Sequence, residues 1–142
     1  MNRVKLVAVF AENKPGQTAR LTGVLAAAGV NVRWVTIAST GPFGVMKFLV
    51  DQPETAFAAL KQHGVAVSFL DVLAVEVPDR PGALHAVADC LAQDKINLDN
   101  ASGFVANQRA ILVVEAHELA RAEAVLQQAG LRVLTQAEML GL

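Results

Sequence analysis

Apolar and polar positions along the chain follow two alternating periods. Residues 5–10 form an apolar, β-branched run of the strand type. Leu21, Val24, Leu25 and Ala28 then fall at helical spacing, and Gly29 follows where a left-handed helix cap is expected. Two strands, a second helix and a fourth strand come next, so residues 1–70 predict the order βαββαβ.

The same order is predicted for residues 71–142. In the first copy the later predicted elements are strands 31–39 and 45–50 around a loop at 40–44, a helix at 54–63 and a strand at 65–69. In the second copy they are a strand at 73–77, a helix at 82–93, strands at 97–105 and 110–116, a helix at 119–129 and a strand at 132–135. Asp71 is the clear break between the copies, which predicts tightly coupled units rather than domains on a flexible linker.

An internal repeat underlies this symmetry. Pro15-Gly16 recurs as Pro81-Gly82, 66 positions later, and the same offset aligns further identities without a gap. These include Leu25-Ala26 with Leu91-Ala92, Asn31 with Asn97, Leu60 with Leu126, and Gly64 with Gly130. Two copies do not form a long solenoid, so the repeat predicts a pseudo-symmetric pair of small domains.

The predicted fold class is α+β. Right-handed crossovers and a split βαβ order give a ferredoxin-like layer, in which a four-stranded antiparallel sheet carries two helices on one face. The second strand of each copy is an edge candidate, and edges tend to be paired or covered. We therefore expect two domains, 1–70 and 71–142, that pair into a continuous eight-stranded sheet.

Composition excludes several classes of function. The formal net charge is −1 and the basic residues are scattered, which disfavours nucleic-acid binding. No apolar run is long enough to span a bilayer, and no signal-type stretch follows the N-terminus, so a cytoplasmic protein is expected. The single cysteine, Cys90, excludes an internal disulfide and is interpreted as a core residue. The three histidines have no metal-type spacing, so neither a metal nor a cofactor is expected.

An Asn/Asp-basic-Pro-Gly turn ends the first strand of each copy. A helix N-terminus exposes unpaired N–H groups that suit a carboxylate, and an Asx oxygen beside it can accept from an ammonium group. An asparagine 16 positions after the proline offers both a donor and an acceptor. The set is Asn13, Pro15, Gly16 and Asn31 in one copy and Asp79, Pro81, Gly82 and Asn97 in the other. Taken singly, these Asx residues equally fit helix caps or turns.

The repeated pattern resembles the ACT domain over essentially the whole chain, twice. The pattern is an apolar strand, Asn/Asp-x-Pro-Gly, an amphipathic helix, glycine, then Val/Ile-Asn-Val/Leu. The resemblance implies a non-catalytic, amino-acid-binding regulator with ligand sites at the interface of two domains. It pairs Asn13 with Asn97 and Asp79 with Asn31, and turns the backbone at Gly16-Gln17-Thr18 and Gly82-Ala83-Leu84 toward the ligand carboxylate. Asn13 is neutral and Asp79 acidic, so unequal sites are expected.

Two alternatives to a free-standing sensor stay open. One is a regulatory small subunit of a biosynthetic enzyme of the acetolactate synthase type, whose small subunits begin with a similar turn. The other is an acylphosphatase-like hydrolase, for which Arg80 has a suitable position but no base beside it. Besides a small-molecule amino acid and a metabolic enzyme, the expected partner is a second copy of the chain in a homodimer.

Overall fold

The computed structural model describes all 142 residues. It contains seven strands and five helices. In chain order they are β1 (Val4–Glu12), α1 (Gln17–Ala27), β2 (Val32–Thr40), β3 (Phe43–Val50), α2 (Pro53–Gln62), β4 (Ala66–Val77), α3 (Ala83–Gln93), β5 (Asn100–Ala106), β6 (Arg109–Glu115), α4 (Leu119–Gln128), β7 (Arg132–Val133) and α5 (Gln136–Leu140).

The chain divides into two compact units. The first unit is Lys5–Leu70, and the second unit is Asp71–Leu142 together with Met1–Val4. The N-terminal residues are held in the second unit by Asn2, whose Nδ2 donates to the carbonyl of Val133 at 2.9 Å. The first four residues of the chain therefore belong to the unit that follows the repeat boundary.

Each unit is an antiparallel sheet with two long helices. In the first unit β1 lies between β3 and β4, and β2 pairs with the outer side of β3. In the second unit β6 lies between β4 and β5, while the short β7 pairs with the other side of β4. The α+β, ferredoxin-like prediction is confirmed.

The core residues that face the helices recur in the second unit at the same offset of 66 positions. Alternate side chains of the first strand in each copy point to the helices, as the two-residue period of a strand requires. Val7 and Val9 pack in one cluster with Leu21, Leu25 and Leu60, all at most 1% exposed. Their counterparts 66 positions later form the second cluster: Leu73, Val75, Val87, Leu91 and Leu126. Each unit therefore has its own hydrophobic core.

The predicted number of eight strands is wrong by one. The strands predicted at 65–69 and 73–77 form a single 12-residue strand, β4. Asp71, interpreted as a break, instead continues the strand with its side chain exposed, and its carboxylate pairs with Arg3 at 3.6 Å. A charged residue that alternation places on a solvated position does not interrupt strand geometry.

Two strand boundaries also differ from the predictions. The loop predicted at 40–44 is only the turn Gly41-Pro42, because β3 begins at Phe43. The strand predicted from Asn97 begins three residues later, at Asn100. Lys95 occupies the position of Gly29 with φ +57°, a left-handed conformation, and Asn97 follows it in an irregular segment.

The last predicted strand, 132–135, is shortened to two residues, and an unpredicted C-terminal helix follows it. Only Arg132–Val133 pairs with β4, and Thr135 starts α5 as its N-cap. The Thr135 hydroxyl accepts from the Glu138 backbone N–H while the Glu138 carboxylate accepts from the Thr135 N–H, which is a capping box. The Thr135-x-x-Glu138 sequence is the signal for this helix, and the strand interpretation overlooks it.

The C-terminal helix is tied to the second sheet at both of its ends. Its start follows Leu134, whose N–H donates to the Ala74 carbonyl at 2.8 Å. Beyond its end, the Leu142 carbonyl accepts from Nδ2 of Asn107 in the β5–β6 turn at 2.9 Å. The strand residues Ala74 and Ile111 are buried although they point away from α3 and α4.

Substitution of Glu138 should reveal how α5 is anchored. The hydrogen bond from the Thr135 backbone, and then Arg132 at 2.9 Å, hold the pKa of the Glu138 carboxyl below its usual value. A carboxyl whose pKa is lowered by folding stabilises the protein above its unfolded-state pKa. That stability is lost as the pH falls through the folded-state pKa. Glu138→Gln should therefore lower the urea unfolding midpoint near neutral pH, and the difference from wild type should shrink as the pH falls below about 4.3, the usual pKa of a Glu carboxyl. A difference that is independent of pH would contradict this account.

Candidate functional site

The Asx-basic-Pro-Gly segments form the same tight turn in both units. The Gln17 N–H donates to the Lys14 carbonyl, and Gly16 has φ 84° and ψ −10°. The second unit repeats the turn with Gly82 at φ 90° and ψ −8°. Proline followed by a left-handed glycine is the sequence preference of a type II turn. Pro15 therefore lies in the turn that precedes α1.

The turn leaves the start of each helix open. The first bond of the α-helical type in α1 runs from the Arg20 N–H to the Gly16 carbonyl at 2.9 Å. The amides of Thr18 and Ala19 have no protein partner, and neither α1 nor α3 has a side-chain cap at its N-terminus. Asn13 and Asp79 are therefore not helix caps, and the amide donors remain available to a ligand.

The two Asx residues are held differently. Nδ2 of Asn13 donates to the Gly41 carbonyl at 3.1 Å, and its N–H donates to the Pro42 carbonyl at 2.8 Å. The Oδ1 acceptor of Asn13 is left without a protein partner. Asp79 is exposed and makes no hydrogen bond or ion pair. Both side chains can accept from an ammonium group, but only Asn13 is fixed in place.

The paired asparagines lie at the other end of each unit. Asn31 is bound at the end of β3, where its N–H donates to the Asp51 carboxylate at 2.9 Å. Asn13 is bound at the β2–β3 turn, so the nine residues of β2, about 30 Å, separate the two. Asn97 likewise lies before β5, and its Nδ2 donates to Asp99 at 3.2 Å. No single unit brings its own two Asx positions together. The pairings of Asn13 with Asn97 and of Asp79 with Asn31 stay predictions.

A pocket of about 350 Å³ lies beside the turn of the first unit. Its lining comes from the end of β1, the first helical turn of α1, the start of β3 and the α2–β4 turn. The lining residues are Phe10, Ala11, Glu12, Gln17, Arg20, Phe43, Gly64, Val65 and Ala66. We call this cavity the first pocket. It contains Gln17 of the predicted set and lies at the same end of the unit as Asn13 and Gly16.

A second pocket, of about 430 Å³, lies at the corresponding place in the second unit. It is lined by Glu76, Val77, Pro78, Asp79, Gln108, Arg109, Gly130, Leu131 and Arg132. Seven of these nine positions are those of the first pocket shifted by 66. The repeat therefore preserves a cavity at this end of the sheet as well as a turn.

The two pockets carry different chemistry. In the first pocket Arg20 and Glu12 bring opposite charges to the lining of one cavity. Arg20 Nη2 donates to the His63 carbonyl at 3.3 Å, and Glu12 lies 3.3 Å from Lys14. In the second pocket the counterparts of the two Phe side chains are Glu76 and Arg109, which form an ion pair with each other. Arg132 is engaged by Glu138.

The other predicted site residues lie around the helix starts. Thr18 is exposed, and its carbonyl accepts from the Thr22 hydroxyl at 2.7 Å. Ala83 is half-buried against the second core, whereas Leu84 is 57% exposed. Phe10, Glu12, Arg20 and Phe43 are pocket residues that the turn motif does not predict. The signal for two of them is in the repeat itself, where each Phe corresponds to a charged residue in the other copy.

Other chemical groups form no comparable site. No set of three or more His, Cys, Asp or Glu side chains could hold a metal ion. Cys90 packs against the second core, with Sγ directed at the Val125 carbonyl at 3.6 Å. Burial, then the nearby carboxylates of Asp94 and Asp89, raises the pKa of the Cys90 thiol, which leaves it protonated and unreactive near neutral pH. None of the five helices is long and apolar enough to cross a membrane.

The fold and the repeated turn define a tandem of ACT-type regulatory domains. A family model described as an ACT domain pair matches residues 2–142, so the chain belongs to the ACT domain pair family. ACT domains are regulatory, non-catalytic domains that bind small-molecule amino acids. The resemblance inferred from the turn motif is thereby confirmed.

Solved structures give the same result for the fold. A protein from Bacteroides thetaiotaomicron is 28% identical, with a TM-score of 0.91, over 99% of this chain and 97% of that one. The ligand-free regulatory subunit of aspartate kinase from Thermus thermophilus is 18% identical, with a TM-score of 0.60, over 90% and 92% of the two chains. The corresponding subunit from Thermus flavus is 16% identical, also with a TM-score of 0.60, over 91% and 93%. No curated protein sequence matches the chain.

Two glycine substitutions should distinguish the backbone requirement of the turn from that of helix α1. An added Cβ at Gly16 or at Gly23 meets no atom within 4 Å, so only backbone conformation distinguishes the two sites. Gly16→Ala should cost about 1–2 kcal/mol, because an L-residue is strained at φ 84°. Gly23→Ala, in the middle of α1, should stabilise the protein by up to about 1 kcal/mol. Urea unfolding measures both, and equal effects would refute the requirement for a left-handed residue.

Proposed function

We propose that this chain is a non-catalytic regulator that binds a free amino acid at the turn and pocket of its first unit. The observation that carries the proposal is the coincidence of three features at one place. They are open helix amides, a cavity, and side chains of opposite charge on its walls. A zwitterion needs donors for its carboxylate and an acceptor for its ammonium group, and this combination supplies both.

The carboxylate is assigned to the α1 side of the first pocket. Arg20 is anchored through one Nη to the His63 carbonyl, which orients the rest of its guanidinium donors. The unpartnered amides of Thr18 and Ala19 belong to the same helical turn, where the helix dipole favours negative charge. Guanidinium and amide donors together match the two oxygens of a carboxylate.

The ammonium group is assigned to the β1 side. Glu12 ends β1 and lines the pocket, and its ion pair with Lys14 is exposed at 60% and 57% of the two side chains. An exposed ion pair of this kind contributes little, about 0–1 kcal/mol, so a ligand ammonium can replace Lys14 at small cost. The unused Oδ1 of Asn13 is the second acceptor on this side.

Amino-acid binding can be measured directly. Isothermal titration of the chain with each common amino acid should give saturable heat for a subset of them. Arg20→Gln should weaken that binding at least about tenfold, since a charge-assisted hydrogen bond contributes about 1.5–3 kcal/mol. Arg33→Gln is the matched control, because Arg33 lies on β2 outside the pocket and should bind like wild type. No heat with any amino acid at millimolar concentration would defeat the proposal.

A partner enzyme is the second part of the proposal. The regulatory subunits of aspartate kinase share this fold, which supports a role as a subunit of an amino-acid biosynthetic enzyme. The acetolactate synthase type is the other enzyme class suggested by the turn. If the chain has this role, an enzyme co-purified with it should change activity when the bound amino acid is added. A co-purified enzyme that ignores the amino acid would count against it.

Self-association is proposed as well. β2 ends the strand order of the first unit, and Val35 and Ile37 are 44% and 48% exposed on it. An unpaired apolar edge favours strand addition, so we expect a homodimer. Light scattering at tens of micromolar should give twice the chain mass, and the mass of one chain would contradict the dimer.

A further inference from the structure

We infer that Glu123 anchors residues 1–4 to the second unit, and that this attachment is the reason a carboxyl group is buried at its position. We call residues 1–4 the strap. The inference does not depend on amino-acid binding, because none of the residues that carry it lines the first or the second pocket. It is carried by a buried charged side chain and by the residue that the repeat places at the same position of the first unit.

Glu123 is the one charged or polar residue of the chain that is buried. It lies on α4 next to Ala122, among side chains that face the second core, and is 6% exposed. Burial of a carboxyl group costs free energy unless hydrogen bonds replace those it makes to water. Oε1 of Glu123 accepts from the backbone N–H of Asn2 at 3.3 Å, whereas the buried Oε2 has no protein partner. Packing of the core therefore does not account for this carboxyl, and its one hydrogen bond leads to the strap.

The strap makes further contacts with the same unit. Nδ2 of Asn2 donates to the Val133 carbonyl at 2.9 Å, and Val4 is fully buried. Arg3 lies 3.6 Å from Asp71, but both side chains are partly exposed, and water weakens an ion pair of this kind. The two hydrogen bonds donated by Asn2 are therefore the main polar attachment of the strap.

The first unit uses the position of Glu123 for an aromatic contact. Shifted by 66 positions, Glu123 corresponds to Phe57 and Thr135 corresponds to Phe69. Phe57 and Phe69 stack with their ring centroids 4.6 Å apart. In the second unit Glu123 accepts from the strap, and the Thr135 hydroxyl accepts from the first turn of α5. An aromatic pair in one copy is thus replaced in the other by two residues that each hold an additional segment.

The strap lies where the chain passes from one unit to the other. The first unit begins at Lys5, and the chain returns to the second unit at Asp71. Val4, the last residue of the strap, is also the first residue of β1. Attachment at Glu123 therefore holds the start of β1 in the second unit, so the chain is fixed there before the first unit begins.

Two single substitutions remove the anchoring bond from opposite sides. Glu123→Met has a side chain of similar length without an acceptor oxygen, and apolar replacement of a buried charged group is often neutral or stabilising. Asn2→Pro removes the N–H donor and leaves α4 unchanged. In both variants of the full chain we expect the amide heteronuclear NOE of Arg3 and Val4 to fall to the values of a mobile segment. The thermal unfolding midpoint of Glu123→Met should be equal to or higher than that of Asn2→Pro.

The matched control is Glu118→Met, which removes an exposed carboxylate from the start of α4 and should leave the strap ordered. The double variant of Asn2→Pro with Glu123→Met should loosen the strap no further than Asn2→Pro alone, because both substitutions remove the same bond. An ordered strap in either single variant would overturn the inference. A Glu123→Met chain that unfolds at a lower temperature than Asn2→Pro, or that does not fold, would also overturn it, because Glu123 would then support the core itself.

Discussion

Each unit depends on one backbone constraint, the left-handed glycine that reverses the chain between its first strand and its first helix. With φ near +84° at Gly16 and +90° at Gly82, the turn closes in four residues and directs a helix back across the sheet. That return places Leu21 and Leu25 over β1 in the first core. The same turn leaves the first helical amides without partners at the protein surface. The glycine thus positions both the hydrophobic core and the polar end of the site.

The two units share this turn and the core positions, but they differ in the residues that line their pockets. The core positions of the two units match at an offset of 66, and so do most positions of the two pockets. Core positions are restrained because each must fill a defined volume. Pocket positions carry no such restraint, so Phe10 and Phe43 could correspond to the ion-paired Glu76 and Arg109. The likeness between the units therefore describes the scaffold, and the difference between them lies in the residues around the two pockets.

The sequence pattern predicts the scaffold well and the site in part. The period of apolar residues and the repeat are local properties, which is why the element order and both turns can be predicted. The two predicted strands form the single strand β4 because the Asp71 side chain is exposed and pairs with Arg3. Both conditions depend on the tertiary structure and not on the local sequence. The first pocket gathers residues from four separate segments, so Arg20 and Phe43 have no motif that links them. Their roles become visible only once the fold brings those segments together.

The most direct test of the central claim is to locate a bound amino acid by NMR on the full chain. Titration with an amino acid that gives heat in calorimetry should shift the backbone amides of the first turn of α1 and the side-chain signals of Arg20. The equivalent backbone amides around Gly82 should stay in place. Such a pattern would support one amino acid bound in the first unit. Shifts of equal size at both turns, or shifts confined to residues outside both pockets, would contradict it.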